Sequence, residues 1–353
     1  MLSDGMRSVR LLLRRPNQRF LVLWLIGALL ALPIVYPRLA SAASSNLLAI
    51  SVADEAFLYT TMLTPSSQSL PALCIREEPD TPTLLGANIH RLCGTWWLFG
   101  DSPRKALVWL EDSDPELRAG YSNMLTNLGG RYAQTGELSR ADDLYQVALE
   151  LFPNNYRTML SIFELKASQG DWPSALTILT STPPPEAPET SFEWWYRIGR
   201  AATELGQYVQ AVQAYDRAAE AIQALVHERG LEGQLPAHIQ AWVNQKSASV
   251  AAGRATIAKR QGEVDMAIAY WKQAVEILPR PWYYEQLVYM YREKGNTALA
   301  LAAARQMADT ATGDLWQYEC LAARIFDEAG HSQEASDLRM QVEVQSEGTR
   351  SCP

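Results

Sequence analysis

The chain has 353 residues, 48% of them hydrophobic, with 11 Trp and 15 Tyr, enough apolar and aromatic material for an extended packed core. Its net charge is −8, and residues 1–19 carry +4 (five Arg against Asp4), which leaves −12 on the remainder. That acidity excludes nucleic acid as a main partner, because a phosphate backbone would be repelled.

In chain order, Arg7, Arg10, Arg14, Arg15 and Arg19 make a basic N-terminus (1–19) ahead of Phe20–Tyr36, an uncharged stretch of seventeen residues. Bilayer-spanning helices need roughly 17–25 apolar residues, whereas signal-peptide cores have roughly 7–15. The expectation is a transmembrane helix over 20–36, embedded in the lipid bilayer, with Trp24 and Tyr36 at its interfaces. The arginines would hold the N-terminus in the cytoplasm and place the rest of the chain on the extracytoplasmic side. Two alternatives stand beside it. One is a secretory signal cleaved after Ala42, since Ala40-Ser41-Ala42 has the small-x-small pattern. The other is a buried core helix.

Residues 37–86 read as a juxtamembrane segment: a helix over 46–63, with Leu48, Val52, Ala56, Tyr59 and Leu63 on one face, then a Ser-, Pro- and Thr-rich loop, Thr64–Thr83. Cys74 and Cys93 bracket the segment before the first clear repeat, and Cys320 and Cys352 bracket the C-terminal end. An exported chain would pair them as two disulfides, and the alternative is free thiols. No Cys-x-x-Cys is present, so the spacing suggests neither structural zinc nor thioredoxin-like chemistry.

From residue 87 a Gly-to-Ala ladder takes over: Gly100/Ala106, Gly136/Ala141, Gly170/Ala175, Gly206/Ala211, Gly262/Ala267, Gly295/Ala300 and Gly330/Ala335. The Ala-to-Ala steps are 35, 34, 36, 56, 33 and 35 residues. A period near 34 marks stacked helix–turn–helix units. The clearest unit is Ser122–Asn155. Leu125, Leu128, Gly129, Tyr132 and Ala133 share one helix face. Gly136 supplies the left-handed turn, and Ser139 is positioned to cap a second helix whose stripe is Ala141, Leu144, Tyr145, Ala148 and Leu149. Pro153 ends the unit.

This unit resembles the tetratricopeptide repeat (TPR) family. The family's pattern of large, Leu, small, Tyr, Gly, Ala, aromatic, Ala and Pro falls on Leu125, Leu128, Gly129, Tyr132, Gly136, Ala141, Tyr145, Ala148 and Pro153. Weaker copies stand in phase at Trp195, Ile198, Gly199, Gly206, Ala211, Tyr215 and Ala218, at Ala255–Pro279, and at Tyr284–Ala300. The units on Ala106, Ala175 and Ala335 depart further, with Lys166 in place of the first-helix Tyr and Arg339 in place of the second-helix aromatic. The resemblance implies an all-α fold: a TPR-type α-solenoid of about seven helix-turn-helix units over 87–343, preceded by the transmembrane helix and followed by a tail, 344–353. The 56-residue step adds about 22 residues, and shared between two helices it predicts an extended hairpin near 220–247 projecting roughly 16 Å. Ile222, Leu225, Ile239, Trp242 and Val243 would seal it. An irregular extra repeat is the alternative.

In this family the first helices line a concave peptide-binding face. Carried across position by position, the resemblance implies a groove containing Arg157, Tyr196, Arg200, Lys259, Tyr289, Arg292 and Arg324, with Glu164, Thr256, Trp282, Cys320 and Asp327 beside them. Arg and aromatic side chains on an acidic body suit an acidic or carboxylate-terminated protein or peptide. The alternative is that these cations pair with neighbouring Glu and Asp. The family's dicarboxylate clamp is not reproduced, since Thr126 and Gly130 occupy its places in the best unit.

No enzyme signature is found. His90, His227, His238 and His331 have no metal-ligand spacing, and there is no phosphate loop or nucleophile elbow. No cofactor, metal or small-molecule substrate is expected. The sequence therefore reads as a membrane-anchored TPR scaffold for protein–protein interactions at the cell envelope. The alternative is an accessory or regulatory subunit of a membrane enzyme, or of envelope-polysaccharide or secretion machinery.

Overall fold

The computed structural model describes residues 103–110, 114–229, 235–311, 315–346 and 349–352. The transmembrane helix or signal at 20–36, the helix at 46–63, the loop after it and the Cys74–Cys93 pairing all lie outside the described residues. No described helix is long and apolar enough to cross a membrane. Among the described residues there are 13 α-helices and no strand. The chain divides into two compact units, Met1–Thr158 and Met159–Pro353.

The described part of the first unit begins with a 3-10 turn, Pro103–Lys105, running into α1 (Ala106–Leu110). A hairpin of α2 (Pro115–Gln134) and α3 (Leu138–Leu151) follows, then the first turn of α4 (Tyr156–Ser168). Asp114 caps α2 by accepting the Glu116 N–H at 2.8 Å, and Pro115 stands at the first helical position, where its missing N–H costs nothing. Ala106, Leu110, Tyr121, Leu125, Leu144, Val147, Ala148 and Leu151 form the core. Beside that core runs a buried polar seam. Asn155 donates from Nδ2 to Ser122 Oγ at 2.7 Å, Ser122 donates to the Ala148 carbonyl at 2.7 Å, and the Thr126 and Thr158 hydroxyls meet at 2.6 Å. Asn155 Oδ1 also accepts the Thr158 N–H, so the side chain is satisfied on both of its polar ends.

The Gly–Ala ladder has a direct physical basis. Gly136, Gly170, Gly206, Gly262, Gly295 and Gly330 all have positive φ, between 70° and 87°, a region where a Cβ clashes. At each, two backbone hydrogen bonds satisfy the last carbonyls of the preceding helix, as in Gly206 N–H to Thr203 O and Gln207 N–H to Ala202 O. The ladder Ala after each of these six glycines then donates its N–H to the carbonyl of the residue after the glycine, Ala211 to Gln207 for example, and so closes the first turn of the second helix. These alanines are 0–2% exposed, which leaves the two helices almost in backbone contact. Ser139 does not cap α3. The helix begins at Leu138 after Glu137, without a side-chain cap, because the glycine turn already fixes the chain's direction there.

The second unit continues the hairpin pattern. The rest of α4 is followed by α5 (Trp172–Thr180), α6 (Pro188–Glu204), α7 (Tyr208–Arg229), α8 (Ala237–Arg260) and α9 (Val264–Ile277). After these come α10 (Pro281–Glu293), α11 (Thr297–Thr310), α12 (Trp316–Glu328) and α13 (Ser332–Gln345). Tyr215 on α7 is the tightest element of its core: a Cβ added at Gly199 of α6 would lie 2.9 Å from the ring, and one at Gly253 of α8 only 2.4 Å. Two glycines on neighbouring helices thus make the slot that one buried tyrosine fills. Burial pushes its phenol well above the ordinary value of 10.0.

The long insertion is built into α7 and α8, of 22 and 24 residues, against 13 or 14 in α9, α10 and α11. It does not stand clear over its added length. The preceding helix α6 begins early, at Pro188, and lies along the hairpin: Phe192 meets Trp242 edge-on at 5.5 Å, and Arg229 at the end of α7 is 3.8 Å from Glu189. Ile222 and Leu225 are buried, as the pattern predicts, and Trp242 and Val243 are half-buried against Phe192 and its neighbours. The apolar side chain of Phe192 is what draws α6 into that position.

Candidate functional site

The exposed edges of the first helices in the second unit carry most of the side chains singled out from the sequence. Arg157 belongs to the first unit, where it is exposed on the first turn of α4. The others fall into two clusters.

The first cluster joins α4, α6 and α8. Glu164 accepts from Arg197 Nε at 2.8 Å and from Arg200 Nη1 at 3.2 Å. Arg197 also grips Glu193, one helical turn earlier, and Lys246 Nζ reaches the other Glu193 oxygen at 2.5 Å. Burial alone would raise the Glu193 carboxyl, but the hydrogen bonds from Lys246 and Arg197 outweigh it and hold the group below its ordinary 4.5. Aromatic rings floor the cluster. The Arg200 guanidinium lies 5.9 Å from both the Phe163 and Trp172 rings, and Lys246 lies 5.1 Å from Phe192. Tyr196 stacks on Phe192 at 5.5 Å, and burial raises its phenol.

The second cluster joins α8, α10 and α12. Lys259 donates to Gln286 at 3.2 Å, and Tyr289 donates its hydroxyl to Glu285 at 3.3 Å. Arg292 pairs with Glu328, and Arg324 lies 3.9 Å from the same carboxylate. Those contacts, led by the Arg292 hydrogen bond, hold Glu328 below its ordinary value. Two large apolar side chains stand open on α10: Trp282, 37% exposed, and Tyr289, 41% exposed. The inner edge of Trp282 packs on Trp271 and Tyr283, so the ring is fixed in place rather than free to turn.

Pairing therefore follows the repeat: Glu164 with Arg197 and Arg200, and Arg292 with Glu328, join residues 33 to 36 apart on successive first helices. Chemically, this face offers rigid aromatic area and cations whose present carboxylate partners are half-exposed, an arrangement that a carboxylate from outside can enter by exchange. Thr126, at a clamp position, is instead turned inward and only 3% exposed. Sequence reasoning missed Glu193, Arg197 and Lys246. The first two lie off the carried-over positions, and Lys246 sits in the insertion, where no repeat position points to it. The 33-residue offset of Arg197 from Glu164 was the available signal.

Cys320, on α12, is bonded to Cys352 of the tail. Among the described residues no group of His, Cys, Asp and Glu is arranged to hold a metal ion.

The model of the tetratricopeptide repeat family matches residues 193–224, the stretch covering most of α6 and the greater part of α7. It describes a structural repeat and not a catalytic domain. No curated protein matches the chain. Solved structures similar to it include PilW, a widely conserved type IV pilus biogenesis factor, at 16% identity over 65% of this chain and 95% of that one, with a TM-score of 0.43. A thermophilic TPR protein of Thermus thermophilus is 18% identical over 58% of this chain and 98% of that one, with a TM-score of 0.40. YrrB, a TPR protein with an unusual peptide-binding site, is 16% identical over 57% and 89%, with a TM-score of 0.36.

Proposed function

We propose that the chain is a protein-interaction scaffold that takes an extended peptide bearing acidic side chains or a terminal carboxylate along the first-helix edges of its second unit. One observation carries the reading: Trp282 and Tyr289 stand exposed on α10 beside Arg292 and Arg324, whose carboxylate partner Glu328 is itself half-exposed. Fixed aromatic side chains give contact area at little entropic cost, and Arg gives directional carboxylate contacts. In the same reading residues 20–36 anchor the chain and its repeats face away from the cytoplasm. The five N-terminal arginines support that orientation, and a crosslinked Cys320 and Cys352 suits an oxidising compartment.

The test is capture of partners from detergent-solubilised membranes by the full chain and by an Arg200→Glu/Arg292→Glu variant. Loss of the captured proteins, with partner affinity falling by roughly tenfold or more, is the expected result. An unchanged set of partners refutes the groove. A single membrane enzyme recovered in equal amount by both forms favours the accessory-subunit reading.

A further inference from the structure

The last helix pair differs from the others in what holds it. Helix α13 fully buries only Ala335 and Val342, whereas α11 fully buries Ala300, Ala303, Ala304, Met307 and Ala308. Its outer residues Met340 and Val344 are exposed, and its ion pair to α12, Arg339 with Asp327, is between side chains each 35% exposed. Helix α12 contributes a weak point of its own. Glu319 is only 2% exposed, and its Oε2 has no hydrogen-bond partner. Sixteen residues before the ladder Ala, where α12 has this carboxyl, the other described units carry Leu125, Met159, Trp195, Ala251 and Tyr284. A pair with so little apolar contact and an orphaned buried carboxyl needs another restraint.

The restraint is the tail. Beyond α13 a turn closes on Ser346, whose Oγ accepts the Arg350 N–H at 3.1 Å. Arg350 lies 6.0 Å from the ring of Trp316 in the first turn of α12. Cys352 is then bonded to Cys320, across a sequence separation of 32 that encloses all of α13. With that loop closed, α13 gains little freedom by leaving α12, and with it open the gain is that of a free chain end.

We propose that α13 and the tail form a redox latch on α12, held shut by the Cys320–Cys352 bond and released when a dithiol reductant breaks it. One thiolate of the reductant attacks a protein sulfur, and its second thiol resolves the mixed disulfide. The protein gains two electrons and two protons as two thiols, and the reductant leaves as its own disulfide. Release takes Arg350 off the Trp316 ring and leaves α13 held to α12 only by its few buried side chains and the Arg339–Asp327 pair. Burial is the cause that raises the Glu319 carboxyl above its ordinary 4.5.

The proposal stands apart from the peptide reading and is tested without any partner. Amide hydrogen exchange is measured on the full chain when oxidised, when treated with a dithiol, and as a Cys320→Ser/Cys352→Ser variant that leaves Cys74 and Cys93 in place. Protection of residues 332–345 should fall by roughly tenfold or more in the last two forms, while residues 264–310 keep theirs. Equal protection in all three forms overturns the latch, as does a loss spread evenly through the second unit.

Discussion

Two helical glycines, one at the Tyr215 slot and one in the open, have opposite fates when replaced by alanine. Adding a methyl at Gly253 places it 2.4 Å from the Tyr215 ring, and that ring is already packed closely against Gly199. Gly253→Ala should lower stability by about 1–3 kcal/mol in denaturant unfolding. Gly120 lies within α2 with nothing near its would-be Cβ, and Gly120→Ala should raise stability by about 0.5–1 kcal/mol. Both residues are helical glycines in sequence, and only the neighbour decides the sign. The turn glycines were legible because a left-handed φ excludes other residues locally. The slot was not, because Gly253 meets Tyr215 only after three helices have packed.

At the scale of the element, α6 and α8 are joined by Glu193 and Lys246, whose side chains are 28% and 19% exposed. The folded-state pKa of Glu193 lies below 4.5, so its contribution is complete above the ordinary carboxylate range and is lost as pH falls through the lowered value. Lys246→Met removes one of the two cations that overcome burial. It should cost about 1 kcal/mol near pH 7, less than a fully buried pair because water still screens it. The difference from the parent should close as the carboxylate protonates, which thermal unfolding between about pH 3 and about pH 7 would read. A cost that stays constant across that range would assign Lys246 a packing role only. The long helices themselves were legible from the insertion's helical pattern, but their flanking by α6 was not. That placement depends on Phe192 finding Trp242, two aromatic residues fifty positions apart with no local signature.

At the scale of the molecule, the period was legible over the described residues, because each of the six described glycine turns and the alanine after it carries a local backbone requirement. What the period could not convey is pairing. Ser122, Thr126, Asn155 and Thr158 are 0–5% exposed and bonded to one another across the repeat, which no position of a single repeat signals. For the groove cations the sequence left open whether they are free or paired with neighbouring Glu and Asp, and Arg200, Lys259, Arg292 and Arg324 each have a polar or carboxylate neighbour on their own or an adjacent first helix. Opposite charges placed one repeat apart find each other when helices stack, so the periodicity that reveals the fold also arranges its ion pairs.

The lengthening of α7 and α8 has a practical corollary. Both glycine turns that bound the hairpin, at Gly206 and Gly262, keep the same φ as the rest, so all the added length was accommodated at the far ends of the two helices. That makes the link between Arg229 and Ala237 a natural graft point. A small fluorescent domain inserted there should leave the thermal midpoint within a few degrees of the parent. The same domain placed at Gly206 should abolish folding of the second unit. Compared side by side by circular dichroism, the two fusions would turn a quirk of repeat spacing into a handle for tracking this protein in the cell.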